Sequence, residues 1–294
     1  MKISGFTIIR NAVINDYPIV EAITSILPVV DEMLVSVGYS DDDTLSLIQS
    51  IQSDKIRIVE SEWDMSLREG GKVLAVETDK AMKQISPDSD WAFYIQGDEV
   101  VHEKYHQAIR ETCQRHVNDL RVEGLLFDYV HFYGTYDYVG DSRKWYRREI
   151  RIVRNEKNVS GVPISAYRDA QGFRRGKQKL NVMHSGAAVY HYGWVKSPAQ
   201  MKTKMKNVSR FWNDGEAWEK ILKSEDFFNY EEFDSLTHFQ GSHPSVMLNR
   251  INRQSWKVDL DTSKKRFKLK DALLYWYEKR TGTRLFEFRN YRLL

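Results

Sequence analysis

Asp90-Trp91-Ala92-Phe93-Tyr94-Ile95-Gln96-Gly97-Asp98-Glu99 sets five apolar residues ahead of two carboxylates, with Gln96 and Gly97 between. A short continuous apolar run bounded by turn residues reads as a strand buried on both faces, as in parallel sheets. In such sheets ligands bind beyond the carboxyl ends of the strands. The two carboxylates therefore allow two readings. A hard divalent cation takes oxygen ligands, keeps several waters, and is often held through one or two carboxylates plus substrate phosphates. The other reading is an acidic turn that caps the next helix.

The sequence on either side extends the strand into a repeating order. Phe6 to Ile9 reads as a strand, and Val20, Ile23 and Leu27 share one helical face. Met33-Leu34-Val35 is the next strand, and the acidic turn Gly38-Tyr39-Ser40-Asp41-Asp42-Asp43-Thr44 offers caps for a helix carrying Leu45, Ile48 and Ile51. Ile56 and Ile58 alternate with charge as a strand; Leu74, Thr78, Ala81 and Ile85 keep a helical face. After the central stretch, Tyr105, Ala108, Ile109 and Cys113 mark a helix and Leu125-Leu126-Phe127 a strand. This order predicts an α/β fold, a mostly parallel sheet flanked by helices. The strand-end rule then selects Arg10 and Asn11, the turn Ser36 to Asp43 with Asp42, and Gln96, Gly97, Asp98 and Glu99 as candidate ligand-binding positions.

Beyond residue 130 the pattern changes. Residues 130–195 predict short strands and loops; residues 196–294 predict a mainly helical extension, clearest at Met201 to Trp212 and Lys270 to Arg280. The division expected is a domain over 1–195 with the extension 196–294 packed on it.

The formal net charge of +3 conceals a segregation. Residues 1–142 hold 12 Lys/Arg against 25 Asp/Glu, residues 143–210 hold 17 against 3, and residues 211–294 hold 15 against 13. An acidic half joined to a basic middle suits a site handling a metal and an anion as two sides of one cleft, with the near-neutral extension outside it. The single cysteine, Cys113, excludes a disulfide framework and a cysteine zinc site. Met1-Lys2-Ile3-Ser4-Gly5 carries no signal-peptide apolar region, and no apolar run approaches the roughly 20 residues of a membrane helix. A cytoplasmic protein is expected, with at most peripheral contact at the inner face of a membrane. No helix-turn-helix or RNP motif accompanies the basic residues, so nucleic acid is not an expected partner.

The chain resembles the family 2 glycosyltransferases of the GT-A type. Phe6 to Asn11 is similar to that family's first strand and turn, Gly38 to Thr44 to its G-S-T-D-G-T turn, and Tyr94 to Glu99 to its D-x-D segment. Some bacterial members carry Q-A-D-E there, and those also carry a late H-Y-G-W segment that Tyr190-His191-Tyr192-Gly193-Trp194 resembles. Gly241-Ser242-His243-Pro244 and Arg289-Asn290-Tyr291 look like their C-terminal extension. The resemblance implies a GT-A fold and an inverting transfer of a sugar from a nucleotide diphosphate sugar donor to a glycan or lipid-linked acceptor, usually with Mn²⁺ or Mg²⁺. It implies Asp98 as a metal ligand and His191 as a second; the alternative for His191 is a hydrogen-bonded histidine among Tyr190, Tyr192 and Trp194. Two departures stand out: Gln96 replaces the first Asp of D-x-D, and Val37 stands where many members have a base-binding Asp.

Arg147, Arg148, Arg151 and Arg154 crowd one strand-like stretch, and Arg148 and Arg154 share parity, so that pair could hold phosphate. Arg174, Arg175, Lys177 and Lys179 form a basic loop that could cover a donor or meet an anionic acceptor. Inverting transfer needs a base for the acceptor hydroxyl. Candidates are Asp128, Asp137, Glu149 and Asp169, with Asp169 foremost because it sits in a loop between Tyr167 and Gly172. His102 and His106 stand four apart without an H-E-x-x-H pattern and read as a solvated helix face. A sugar nucleotidyltransferase would want a glycine-rich phosphate loop after the first strand, and Ile8 to Ile14 contain no glycine. A non-catalytic carbohydrate or nucleotide-sugar binding protein of the same fold is the other alternative.

Overall fold

The computed structural model describes residues 1–67, 69–155, 161–209, 211 and 228–294. Trp212, the last residue of one expected helical stretch, lies outside them.

The first half alternates as the sequence predicts. Strands β1 (Ile3–Ile9), β2 (Glu32–Gly38), β3 (Ile56–Ser61) and β4 (Trp91–Tyr94) are joined through helices α1 (Ile19–Ile26), α2 (Thr44–Gln49) and α3 (Lys72–Met82). All four strands run parallel, in the order β3-β2-β1-β4. Side chains alternate across the sheet. Trp91, Phe93 and Ile95 face the layer that holds α1 through Ile19, Ile23 and Ile26, and α4 (His106–His116) through Ile109 and Cys113. Ala92 and Tyr94 face the opposite layer with Val73 and Ala81 of α3. Burial on both faces is why Trp91 to Ile95 are apolar throughout.

Beyond β4 the sheet becomes mixed. The short strand β5 (Glu99–Val101) follows at once, then β6 (Gly124–Tyr133), β7 (Tyr138–Gly140), β8 (Arg148–Arg154), the hairpin β9 (Ile164–Tyr167) and β10 (Gly172–Arg175), and β11 (Gln178–Trp194). The order continues β4-β8-β6-β11-β10-β9, with β8 antiparallel to both β4 and β6 and β11 parallel to β6. The expectation of short strands and loops fails for β11, which runs 17 residues. Its Ser185-Gly186 step is a bulge: Gly186 has φ +73° and the register against β6 shifts between His184 and Ala188.

Residues 196–294 supply helices α5 (Pro198–Ser209), α6 (Leu248–Asn252) and α7 (Leu269–Thr281), together with strands β12 (Leu236–His238) and β13 (Tyr291–Leu293). β13 pairs in parallel with Leu180 to Val182 of β11, so the end of the chain extends the sheet itself. The segment is also not outside the cleft. Lys204 and Asn207 of α5, with Phe211, form part of its wall.

Candidate functional site

β4 ends in a turn closed from both sides. The Glu99 amide donates to Gln96 O (3.1 Å), and the Gln96 amide donates to Glu99 Oε2 (3.1 Å). The two carboxylates then part. Glu99 is fully buried, held by Arg151 through Nη2 (2.6 Å) and Nε (2.9 Å) and by the Tyr129 hydroxyl (2.5 Å). It anchors the turn and is no ligand. Asp98 instead lines a cleft of about 190 Å³ beyond the ends of β1 and β4. Its Oδ2 lies 3.1 Å from Lys204 Nζ and 3.7 Å from His191 Nε2. Burial works to raise the Asp98 carboxyl; Lys204, His191 and Lys196 outweigh it and hold the group down at about 2.

His191 reaches Asp98 because β11 pairs with both β5 and β6. Its neighbour in the register is His131, whose Nε2 lies 2.8 Å from the carbonyl of Tyr146 and must donate to it. Burial, with His191 alongside, brings His131 down to about 3, so the ring is neutral and its Nδ1 is an acceptor. His191 Nδ1, 3.2 Å away, then donates to it, which leaves the Nε2 lone pair facing Asp98. Gly193 completes the arrangement: a Cβ there would stand 2.5 Å from Asp98 Oδ2 and 2.7 Å from His191 Nε2. The space between the two donors stays open because residue 193 has no side chain. One carboxylate and one imidazole, with that gap between them, fit a divalent cation whose other ligands come from substrate phosphate and water. No group of three or more His, Cys, Asp or Glu that could hold a metal occurs among the described residues.

Two cations, Lys204 and Arg10, line the cleft. Lys204 also donates to Gly193 O (2.8 Å) and stands 4.9 Å from the Tyr17 ring. Lys196 is buried and donates to the Asp16 carbonyl; burial and the nearby Lys204 bring it down to about 7. Arg10 and Asn11 line the cleft and are held by the β2 turn: Arg10 Nε donates to Tyr39 O (2.6 Å) and Asn11 Nδ2 to Asp41 (3.0 Å). Gln96 and Gly97 also line it. A Cβ on Gly97 would meet Ile9 Cδ1 at 2.9 Å, so the turn packs this closely only with glycine.

A second cavity of about 280 Å³ adjoins the first and shares Asp169 and Gln171 with it. The loop carrying both is pinned from the cleft floor. Gln96 Nε2 donates to Ala170 O (3.2 Å) and Arg151 Nη1 to Gln171 O (2.8 Å). Arg168 and Ala170 take φ +57° and +61°, a left-handed backbone that costs about 1–2 kcal/mol per residue without glycine. The strain sits on both sides of Asp169. Glu149 lines the second cavity, where its Oε2 is sealed from water without a hydrogen-bond partner. Burial pushes its carboxyl up to about 8. Such a group binds a proton in the folded state that the unfolded chain has released, so its contribution to stability falls as pH rises from about 4.5 toward 8. Glu149→Gln is expected to melt higher than the parent near pH 8, with the gain vanishing below pH 4.5. Melting curves of both proteins across that range check this, and a constant difference would remove the assignment.

Several expected positions fall elsewhere. Arg148 lines the second cavity, paired with Asp128 (2.8 Å), another of the base candidates. Arg154 does not share its setting. Because β8 runs antiparallel to β4, Arg154 pairs with Trp91 at the start of that strand, while Asp98 follows its end. Its guanidinium caps the carbonyls of His116, Val117, Asp119 and Val122 at the close of α4, where a cation is favoured. Asp42 is likewise structural: its carboxylate accepts from the amides of Ile14 (2.8 Å) and Thr44 (3.0 Å), tying two strand-end loops together. Asp137 accepts from Thr135 Oγ1 (3.0 Å) in the turn after β6 and lines neither cavity. Arg174 and Arg175 lie in β10 and are bonded to Asn290 (2.6 Å) and Glu123 (2.9 Å), so they form no cover. Val37 is core. His102 is buried against Ser242 (2.9 Å), not solvated, and His106 bonds Ser25 O (2.8 Å).

No protein-family model and no curated protein matches the chain. Among solved structures it is similar to S. aureus TarS, at 16% identity over 76% of this chain and 42% of that one, with a TM-score of 0.40. It spans a similar share, 76%, of itself and 70% of S. aureus TarS 1-349 in complex with UDP, again at 16% identity and a TM-score of 0.40. A glucosyl-3-phosphoglycerate synthase from Mycobacterium tuberculosis, in complex with Mn²⁺, UDP and phosphoglyceric acid, is 21% identical over 44% of this chain and 43% of its own, with a TM-score of 0.29. These likenesses are remote.

Proposed function

We propose that the protein is an inverting glycosyltransferase that moves a sugar from a nucleotide diphosphate sugar to a glycan or lipid-linked acceptor, assisted by Mn²⁺ or Mg²⁺. The observation that carries this reading is the meeting of two cavities at Asp169, one of them lined by Asp98 and Lys204, with His191 Nε2 3.7 Å from the Asp98 carboxylate. The first cavity takes the donor. Trp63 and Phe211, with ring centroids 6.1 Å apart, offer an aromatic wall for a flat nucleobase, and Lys204 and Arg10 offer charge for the diphosphate. Asp98 and His191 would hold the metal, which when bound acts as a Lewis acid toward the leaving diphosphate.

The second cavity takes the acceptor. The Asp169 carboxylate accepts the proton of the acceptor hydroxyl as that oxygen forms its bond to the anomeric carbon. The bond from that carbon to the diphosphate breaks on the opposite face and the diphosphate leaves with the electron pair. Lys204 and Arg10 meet the charge where it develops. Asp169→Asn keeps the shape of the side chain and removes the base. Transfer is expected to fall by about 10²–10⁴-fold with donor binding retained. Donor binding by calorimetry and turnover with a panel of nucleotide sugars separate the two. Undiminished turnover would take the base role away from Asp169, and a wild-type chain that binds donors without transfer would leave only a binding protein.

A further inference from the structure

Helix α7 is built inside out. Its inward side is polar: Tyr275 donates to Asp141 (2.6 Å), and Glu278 accepts from Arg143 (2.9 Å) and Arg284 (2.9 Å). Its outward side carries Leu269, Leu273 and Trp276, spaced i, i+4, i+7 along one stripe. Just past the helix, Phe286 and Phe288 are also exposed, and all five lie between 59% and 88% open to solvent. Single exposed apolar residues need no explanation, but a stripe of large ones marks an interaction surface.

The flanking charge says what covers it. Residues 264–294 hold ten Lys/Arg and three Asp/Glu, so the near-neutral total of the C-terminal region conceals a basic end. Lys268, Lys270 and Arg280 are exposed around the stripe. Leucine and tryptophan on one face with lysine and arginine beside them match an anionic bilayer surface, which takes the apolar side chains into its headgroup boundary and attracts the cations. Among the described residues no helix is long and apolar enough to cross a membrane, so this surface would lie on it.

We propose that α7 and the segment following it seat the protein on an anionic lipid surface. Phe286 and Phe288 also line the second cavity, so the seated face includes the rim of that cavity. This favours the lipid-linked choice of acceptor, a consequence that rests on the transferase reading; the seating itself does not.

Co-sedimentation of the full chain with vesicles of phosphatidylcholine alone, and with an equimolar mixture of phosphatidylcholine and phosphatidylglycerol, tests the seating with no donor present. Binding is expected to the mixed vesicles only. It should weaken at high salt, and fall on the order of tenfold in Leu269→Glu/Leu273→Glu and again in Lys268→Glu/Lys270→Glu. Both variants alter exposed side chains, and unchanged melting curves would show that they fold. Failure to bind the mixed vesicles, or binding indifferent to both variants, overturns the proposal. So does sedimentation velocity showing a stable dimer that the Leu269→Glu/Leu273→Glu variant dissolves, since the stripe would then be covered by a second copy. A chain that binds vesicles without transferring sugar would refute the transferase reading and leave the seating intact.

Discussion

Asp98→Asn is expected to abolish sugar transfer, lowering kcat by about a thousandfold or more, while the fold persists. Asparagine matches aspartate in shape and still offers an oxygen to Lys204, which stands 3.1 Å from Oδ2. It takes away the one carboxylate that faces the cleft from the end of β4. The backbone of residue 98 keeps its place, since its carbonyl accepts from the Tyr192 amide (2.8 Å) whatever the side chain. Melting curves should therefore show only a modest loss, of about 1–2 kcal/mol, from weakening the Lys204 pair. Binding of a nucleoside diphosphate should lose its dependence on Mn²⁺. A variant that transfers at the parent rate would remove Asp98 from the machinery.

Arg151→Leu is expected to cost the fold most among single substitutions around the site. The guanidinium and the Glu99 carboxylate are both wholly buried and make a two-pronged pair. Removing one partner strands a buried charge, at about 3–5 kcal/mol. For a chain of this size that is a fall in melting temperature of roughly 10 °C. The same guanidinium holds the carbonyl of Gln171 (2.8 Å), so the loop that carries Asp169 loses a tether along with the turn that carries Asp98. The double variant Glu99→Met/Arg151→Met leaves no stranded charge and should recover part of the stability lost by Arg151→Leu. A single variant as stable as the parent would contradict the account of the pair.

What could be read in advance follows from which forces act locally. Trp91 to Ile95 announces a doubly buried strand because sheet burial is written into every residue, and Asp98 at its end is legible for that reason. β11 is legible at its far end, through His191, but Gly186 hides the bulge in its middle. Arg148 and Arg154 share parity and not surroundings: the antiparallel course of β8 carries one to the second cavity and the other to the base of α4. Lys204 gives no signal, because only tertiary packing brings α5 over Asp98. Arg151 does give one: an arginine between Ile150 and Ile152 in a buried strand requires a buried carboxylate, and Glu99 is that partner.

On the proposed reading the cleft at Asp98 takes a nucleoside diphosphate together with a divalent cation. Thermal unfolding of the unmodified chain with a panel of nucleoside diphosphates, each with and without Mn²⁺, tests it most directly. One nucleotide is expected to raise the melting temperature in the presence of Mn²⁺ and much less without it; saturation at a hundred times Kd corresponds to about 2.7 kcal/mol. A melting temperature that no nucleoside diphosphate moves, with or without the cation, would contradict the account.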